Sequence, residues 1–216
     1  MKYIYGEGVE KPKSYKWLFV PFGIFLAVAY VFANMQAPII LASLQSPDET
    51  AKKLASNRPD EDEGRLYIPK INLDTPLMGA DSDEIEALAN GAVQRSPQSG
   101  NPSEGGNFVV TAHRFSLALV PTETKQRSTF YHLDKLSNGD DVYVDYNGTR
   151  YAYSVEKRST LSATDASIEQ RSDEPRLTLY AVEESENGKR EVVTAKMIGE
   201  VVWTNGQPKI KAKSAD

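Results

Sequence analysis

The chain has 216 residues, 25% of them charged and 40% hydrophobic, with a formal net charge of −5, which describes one globular domain with appendages. No basic excess is available to neutralise phosphates, so nucleic acid is not an expected partner. Zero cysteines and only two histidines, His113 and His132, exclude disulfides, thiolate and multi-histidine metal sites and a cysteine nucleophile; no carboxylate spacing resembles a Ca²⁺ loop, so neither metal nor cofactor is expected.

In chain order the first element is an apolar stretch. No charged residue occurs between Trp17 and Pro47. A helix rises about 1.5 Å per residue and needs roughly 20 residues to cross a bilayer core, so residues 17–40 are predicted as a transmembrane helix. Lys2, Lys11, Lys13 and Lys16 precede it, whereas the first basic residues after it are Lys52 and Lys53. Positive-inside bias then places residues 1–16 in the cytoplasm and the rest outside, in a single-pass topology at the cell membrane. The apolar run exceeds the roughly 7–15 residues of a cleaved leader, which favours an uncleaved signal anchor. Residues 1–16 carry net +2 and leave −7 for the remainder, so no polybasic patch holds the exported part against anionic lipid.

Residues 41–63 read as a linker, because from Ser46 to Glu63 the composition shifts to Pro, Asp, Glu, Lys and Ser, with one helical turn around Ala51–Ala55. The domain itself spans 64–203. Its apolar runs are short, β-branched and separated by turn residues, which predicts strands at Arg65–Ile68, Asn107–Ala112, Asp141–Tyr146, Thr149–Leu161, Arg176–Val182 and Arg190–Val202. Asn147-Gly148 is a hairpin signal, since both residues tolerate positive φ. In that hairpin Tyr143, Asp145, Tyr151 and Tyr153 alternate with smaller residues, as one-sided burial requires. Acids at Asp81–Glu84 open a short helix with an Ile85/Leu88/Ala89 face and Gly91 as its stop. Leu133–Leu136 is a second helical turn. Residues 204–216 are polar and aperiodic and read as a flexible tail. Many short strands with one or two short helices make the fold all-β, a barrel or a sandwich.

Several ordered segments resemble the sortase family. Gly64-Arg65-Leu66-Tyr67-Ile68-Pro69 is similar to that domain's opening strand and turn. Gly105-Gly106-Asn107-Phe108-Val109-Val110-Thr111-Ala112-His113-Arg114 is similar to the strand that delivers the family's catalytic histidine. Phe130-Tyr131-His132-Leu133-Asp134-Lys135-Leu136 with the Tyr-rich hairpin matches the next section, and Thr164-Asp165 and Asp173–Leu179 resemble the approach to the nucleophile strand. The resemblance covers about residues 64–202. It implies a sortase-like closed β-barrel of about eight strands and a cell-surface transpeptidase that cuts a sorting signal and joins the new carboxyl end to an amine. The family does this with a His, a Cys in Thr-Leu-x-Thr-Cys, and an Arg: a thiolate attacks the carbonyl, an acid protonates the leaving amine, and a cation or backbone donors hold the oxyanion.

Carried over residue by residue, the resemblance assigns His113 to the histidine and Arg190 to the arginine, whose planar fork stays charged. His132 is a polar neighbour. Thr178, Leu179 and Tyr180 fill the first three places of the nucleophile motif and are candidate binding residues. The fourth place is Ala181 and the fifth, the cysteine place, is Val182; a register slip by one would put Ala181 there, equally inert. Thr178 stands about 13 Å along the strand from Val182, and Ser185 lies beyond it among acids. These residues imply a degenerate sortase that keeps the barrel and binds an extended sorting-signal-like peptide or surface protein, or scaffolds a surface assembly. Three alternatives stay open: an active hydrolase or transpeptidase with a non-cysteine nucleophile, a sequence in which the cysteine was substituted, and a purely structural membrane-tethered β-domain that binds nothing in the groove.

Overall fold

Short apolar runs bounded by Gly, Asn and Pro cannot bury a face singly, and here they pair into one closed sheet. A computed structural model describes residues 16–46, 48–182 and 188–212. The chain divides into two units, residues 1–33 and 34–216. Among the described residues the second contains ten strands: β1 (Arg65–Ile68), β2 (Leu73–Met78), β3 (Ala92–Arg95), β4 (Gly100–Asn101), β5 (Gly105–His113), β6 (Asp141–Tyr146), β7 (Thr149–Ser162), β8 (Arg176–Val182), β9 (Lys189–Thr204) and β10 (Gln207–Lys211). Eight of them close a ring in the order β1-β2-β3-β5-β8-β9-β7-β6, with β6 returning to β1. The pairs β2–β3 and β5–β8 are parallel; the other ring contacts are antiparallel. The expected eight-stranded barrel is therefore what the chain forms.

Alternation fills the barrel from every side. Phe108, Val110 and Ala112 of β5, Leu177, Leu179 and Ala181 of β8, and Val193 and Ala195 of β9 point inward with Leu66, Ile68, Val142 and Val144. In the central hairpin, Asn147 and Gly148 take φ of 47° and 72°, as the Asn-Gly signal predicts. The inward residues there are Val142, Val144, Tyr151 and Tyr153, so Tyr143 and Asp145 lie on the opposite face from the two β7 tyrosines. Asp145 is nevertheless 1% exposed, because Arg150 across the hairpin covers it. Arg150 donates from Nε to Asp145 Oδ1 at 2.6 Å and from Nη2 to Oδ2 at 2.7 Å, and its guanidinium stacks on Tyr67 at 4.7 Å.

That buried pair also fastens the segment expected as a linker. Arg150 Nη1 donates to the Leu54 carbonyl at 2.5 Å, and Gly148 N donates to the Asp60 carbonyl at 3.1 Å. Residues 41–63 contain a helix, α3 (Glu49–Ser56), longer than the single turn expected. Its buried Thr50 donates from N and Oγ1 to Asn72 Oδ1 at 3.0 and 2.7 Å, and Lys53 pairs with Asp74 at 3.3 Å. The segment is held by specific bonds rather than by length alone.

Upstream, α1 (Lys16–Met35) is apolar, with Phe19, Phe25 and Phe32 each more than half exposed. It stops before α2 (Ala37–Ser43) because Pro38 has no N–H to donate to Asn34 and its ring would strike that carbonyl. Among the described residues no single helix is long and apolar enough to cross a membrane; Phe19–Met35 and Ala37–Ser43 are so only as a pair with a break between them.

Other elements differ from the expectation in informative ways. Helix α4 (Glu84–Asn90) starts where predicted, capped by Asp83, which accepts from Glu86 N at 3.0 Å. Its buried face is Ala87 and Leu88 against Val93 and Met78, and Ile85 is 84% exposed. Helix α5 (Pro121–Arg127) is unpredicted, since Thr-Glu-Thr-Lys-Gln-Arg carries no apolar stripe and its buried residue is Thr124. The 204–216 tail contains β10, joined to β9 by a second Asn-Gly turn with φ of 52° and 80° at Asn205 and Gly206. Pro208, Lys209 and Lys211 mark β10 as a protected edge.

Removing one partner of a buried, hydrogen-bonded ion pair costs about 3–5 kcal/mol. Arg150→Ala in the detergent-solubilised full chain is therefore expected to lower stability to urea by that order and to speed tryptic cutting at Lys52, Lys53 and Arg58. A joint Arg150→Met, Asp145→Leu replacement is expected to recover most of the urea stability and not the protection of the α3 segment.

Candidate functional site

The outer face of the β5–β8–β9 sheet carries the residues singled out from sequence. Strand alternation puts Asn107, Val109, Thr111 and His113 of β5 on this face, and Thr178, Tyr180 and Val182 of β8 beside them. The parallel register pairs Val109 with Thr178, Thr111 with Tyr180, and His113 with Val182. Ala181 pairs with Ala112 and turns its methyl into the barrel, fully buried. Val182, not Ala181, thus stands in line with His113. Two backbone bonds hold this end: Arg114 N donates to the Val182 carbonyl at 3.0 Å, and Phe130 N donates to the His113 carbonyl at 2.9 Å.

Arg190, the second residue of β9, lies on the same face. Tyr180 pairs with Val192, the last pair of that ladder, and two residues further along the two strands stand Val182 and Arg190. Its guanidinium carbon lies 4.8 Å from the centre of the Tyr180 ring, a cation–π contact. His113, Val182 and Arg190 therefore share one end of one face. Of the candidate binding residues, Tyr180 and Thr178 belong to this face and are buried, whereas Leu179 packs inside the barrel.

The face is partly covered by a turn that the sequence does not announce. Residues Ala166–Glu169 form a 3-10 turn started by Asp165, whose Oδ1 accepts from Ser167 N at 2.9 Å. Ile168 packs on Val109, Tyr180 and Val192, with Leu161 and Val182 at the margin. Asn107 fastens the turn from below, donating from Nδ2 to the Ile168 and Gln170 carbonyls at 2.9 Å each. Asn107 is reached this way because β5 begins against β4: a Cβ on Gly106, which has φ of +80°, would lie 2.5 Å from the Ser99 carbonyl.

Glu169 closes the arrangement. Its carboxylate accepts from Tyr180 Oη at 2.8 Å and from Ser96 Oγ at 2.5 Å, and its carbonyl accepts from Ser99 Oγ. Burial opposes its charge, but the bonds from Ser96 and Tyr180 and the nearby Arg95 and Arg190 outweigh that and hold the carboxyl below its ordinary range. Burial first, and then the bond to Glu169, push the Tyr180 phenol up to about 12.

The hydroxyls of this face are engaged. Thr178 Oγ1 donates to Asn107 Oδ1 at 2.7 Å, Thr111 Oγ1 to the Tyr180 carbonyl at 3.0 Å, and Tyr180 Oη to Glu169. Val182 offers hydrocarbon. Ser185, the other hydroxyl considered, lies outside the described residues, as do its neighbours from Glu183 to Asn187. No cluster of three metal-ligating side chains occurs among the described residues.

His132 is placed elsewhere. Its ring meets Tyr131 edge-on at 5.0 Å, and it lines a cavity of about 580 Å³ between α2, α3, β2 and α5. Lys125 lines the same cavity, with its ammonium pushed below the usual range by burial.

Comparison with known proteins gives a consistent picture. The family model "Sortase domain" matches residues 66–198. Among solved structures, a Clostridium perfringens sortase D5 transpeptidase is similar at 23% identity and TM-score 0.52, over 72% of this chain and 90% of that one. Sortase E from Streptomyces avermitilis is similar at 21% and 0.53, over 70% and 91%. Sortase C1 of the GBS pilus island 1 is similar at 22% and 0.55, over 80% and 86%. No curated protein matches.

Glu169 has a lowered pKa, so its contribution to stability is complete above its ordinary value of 4.5 and is lost as pH falls through its folded-state value. Thermal melts of Glu169→Gln and the parent chain are therefore expected to differ most at neutral pH and to converge as the pH is taken below 4.5. A constant difference across that range would show that the carboxylate charge has no part in holding the turn.

Proposed function

The chain belongs to the sortase family, and from that premise we propose that it is a degenerate member, anchored in the cell membrane, that binds extended peptides without cleaving them. The observation carrying this is the pairing of Val182 with His113. In the family's reaction a thiolate at that place attacks the carbonyl and the amine leaves; an isopropyl group has no lone pair to donate. Thr178, the hydroxyl considered as a substitute on the same strand, is buried and spent on Asn107. Nothing else at that end of the strand supplies an activated nucleophile among the described residues.

Binding has a separate basis. Val182, Leu161 and the covering Ile168 give an apolar floor, and Arg190 beside Tyr180 supplies a cation for a peptide carbonyl or carboxylate. In this reading Tyr180, buried beneath Ile168, positions Arg190 for the peptide, Thr178 supports the face through Asn107, and Leu179 acts from within the barrel. The sorting-signal-like segment of a surface protein is the ligand. The anchor is the apolar stretch from residue 17 to residue 40, with the lysine-rich N-terminus in the cytoplasm and the barrel outside.

The test uses the detergent-solubilised chain, a panel of labelled sorting-type peptides and an amine acceptor. Mass spectrometry is expected to show intact peptide, while fluorescence anisotropy shows saturable binding. Arg190→Ala is expected to weaken binding about ten- to hundredfold, the worth of a charge-assisted hydrogen bond. Val182→Cys, which puts a thiol beside the imidazole, is expected to accumulate a covalent peptide adduct. Steady turnover by the unaltered chain would overturn the degenerate reading, and flat titrations with the whole panel would overturn peptide binding.

A further inference from the structure

We infer that α2 and the loop from Phe115 to Val120 form an apolar sole that rests in the bilayer interface and fixes how the barrel stands on the membrane. The inference deepens the anchored reading above and rests on it. All residues of the sole belong to the 34–216 unit.

Two surfaces meet there. Helix α2 buries Ala37 and Pro38 and packs on α5, yet its other side is also apolar: Ile39 and Ile40 are each 46% exposed and Leu44 is 76% exposed. A helix that is apolar on both its packed and its open side is built for a second apolar medium. The loop adds Leu117 at 52%, Leu119 at 85% and Val120 at 39% exposure, and no charged residue occurs from Phe115 to Val120.

Asn34 joins the two. Its side chain, 4% exposed, donates from Nδ2 to the Ala118 carbonyl at 2.7 Å and the Leu119 carbonyl at 3.3 Å, and its Oδ1 accepts from Thr124 Oγ1 at 2.6 Å. Thr124 in turn accepts from Ala118 N at 3.0 Å. The residue at which the apolar stretch enters the globular unit is thus bonded to the backbone of the exposed loop. A lipid surface is the occupant because the 17–47 run is uncharged throughout and leads directly into this patch; a protein partner would need no such continuity.

The absence of cysteine makes the test direct. Full-length chains carrying Leu44→Cys, Leu119→Cys, Phe25→Cys or Ser103→Cys, each labelled with an environment-sensitive fluorophore, are reconstituted in phosphatidylcholine–phosphatidylglycerol vesicles containing nitroxide lipids. Ser103 lies in the exposed turn before β5, at the opposite end of that strand from the loop. Labels at Leu44 and Leu119 are expected to be quenched several-fold more than the label at Ser103, at interfacial depth. If the Phe25 label is quenched while either of those two matches Ser103, the sole is overturned and the anchor stands. If the Phe25 label also matches Ser103, the anchored reading falls, and the sole with it. Shielding from aqueous iodide without lipid quenching would mean a protein covers the patch, which also overturns the inference.

Discussion

Closure of the barrel depends on the parallel pairing of β5 with β8, two strands separated in sequence by more than sixty residues. Seven consecutive residue pairs run from Asn107 with Arg176 to His113 with Val182. Without that seam the sheet would have two long hydrophobic edges, the arrangement that invites pairing with other chains. Ring closure places inward Phe108, Val110, Leu177 and Leu179 at the centre of the core, so register is set by burial: a slip of one residue would exchange every one of these for a residue of the outer face. The same constraint aligns His113 with Val182 rather than Ala181. Site geometry and core packing are therefore one fact, and neither can change alone.

Asn107 shows how this seam reaches outward. Its amide spends both donors on the carbonyls of the covering turn and accepts from Thr178 on the adjacent strand. A buried amide so fully satisfied is expensive to replace, because any aliphatic substitute leaves carbonyls without donors. The turn it holds brings Ile168 and Glu169 over the face, and Glu169 then ties Tyr180 and Ser96 together. Order thus propagates from strand register to loop to charge cluster.

Sequence patterning revealed the elements whose signal is local. Strands β6 and β8 have the boundaries that alternation and turn residues predict, and Asp83 caps α4 as its acids suggest. Strands with weak local signals escaped: β2 contains Pro76, and β3, Ala-Val-Gln-Arg, carries a single β-branched residue, whereas the equally short β1 has the apolar Leu66-Tyr67-Ile68 run. The Asn205-Gly206 turn carried the same signal as Asn147-Gly148, but polar Pro208, Lys209 and Lys211 hid the strand behind it. Helix α4 misled for a different reason. A two-turn helix docks through whichever side the β3 surface accepts, which here is Ala87 and Leu88 and leaves Ile85 in solvent. At the site, the ordered segments around His113, Val182 and Arg190 were legible because each sits in a strand. Glu169, Ser96 and Ile168 were not, since their roles exist only through tertiary contacts, among them the Ser96–Glu169 and Ser99–Glu169 bonds that span 73 and 70 residues.

On the degenerate reading proposed above, Val182 would show how packing can take over a place that chemistry leaves. A reactive thiol needs an electropositive, partly open setting, and such settings work against packing. An isopropyl group there instead joins Ile168, Tyr180, Val192 and Leu161 in a small second cluster outside the barrel. Half-burying a valine contributes about 1 kcal/mol, so Val182 stabilises this face by packing. Arg190 has a structural part whatever the chemistry: stacked on Tyr180 and near Glu169, it helps hold the cluster. The face can therefore persist as a folded, charged and partly apolar surface on packing grounds alone, and its retention does not require that acyl transfer be retained.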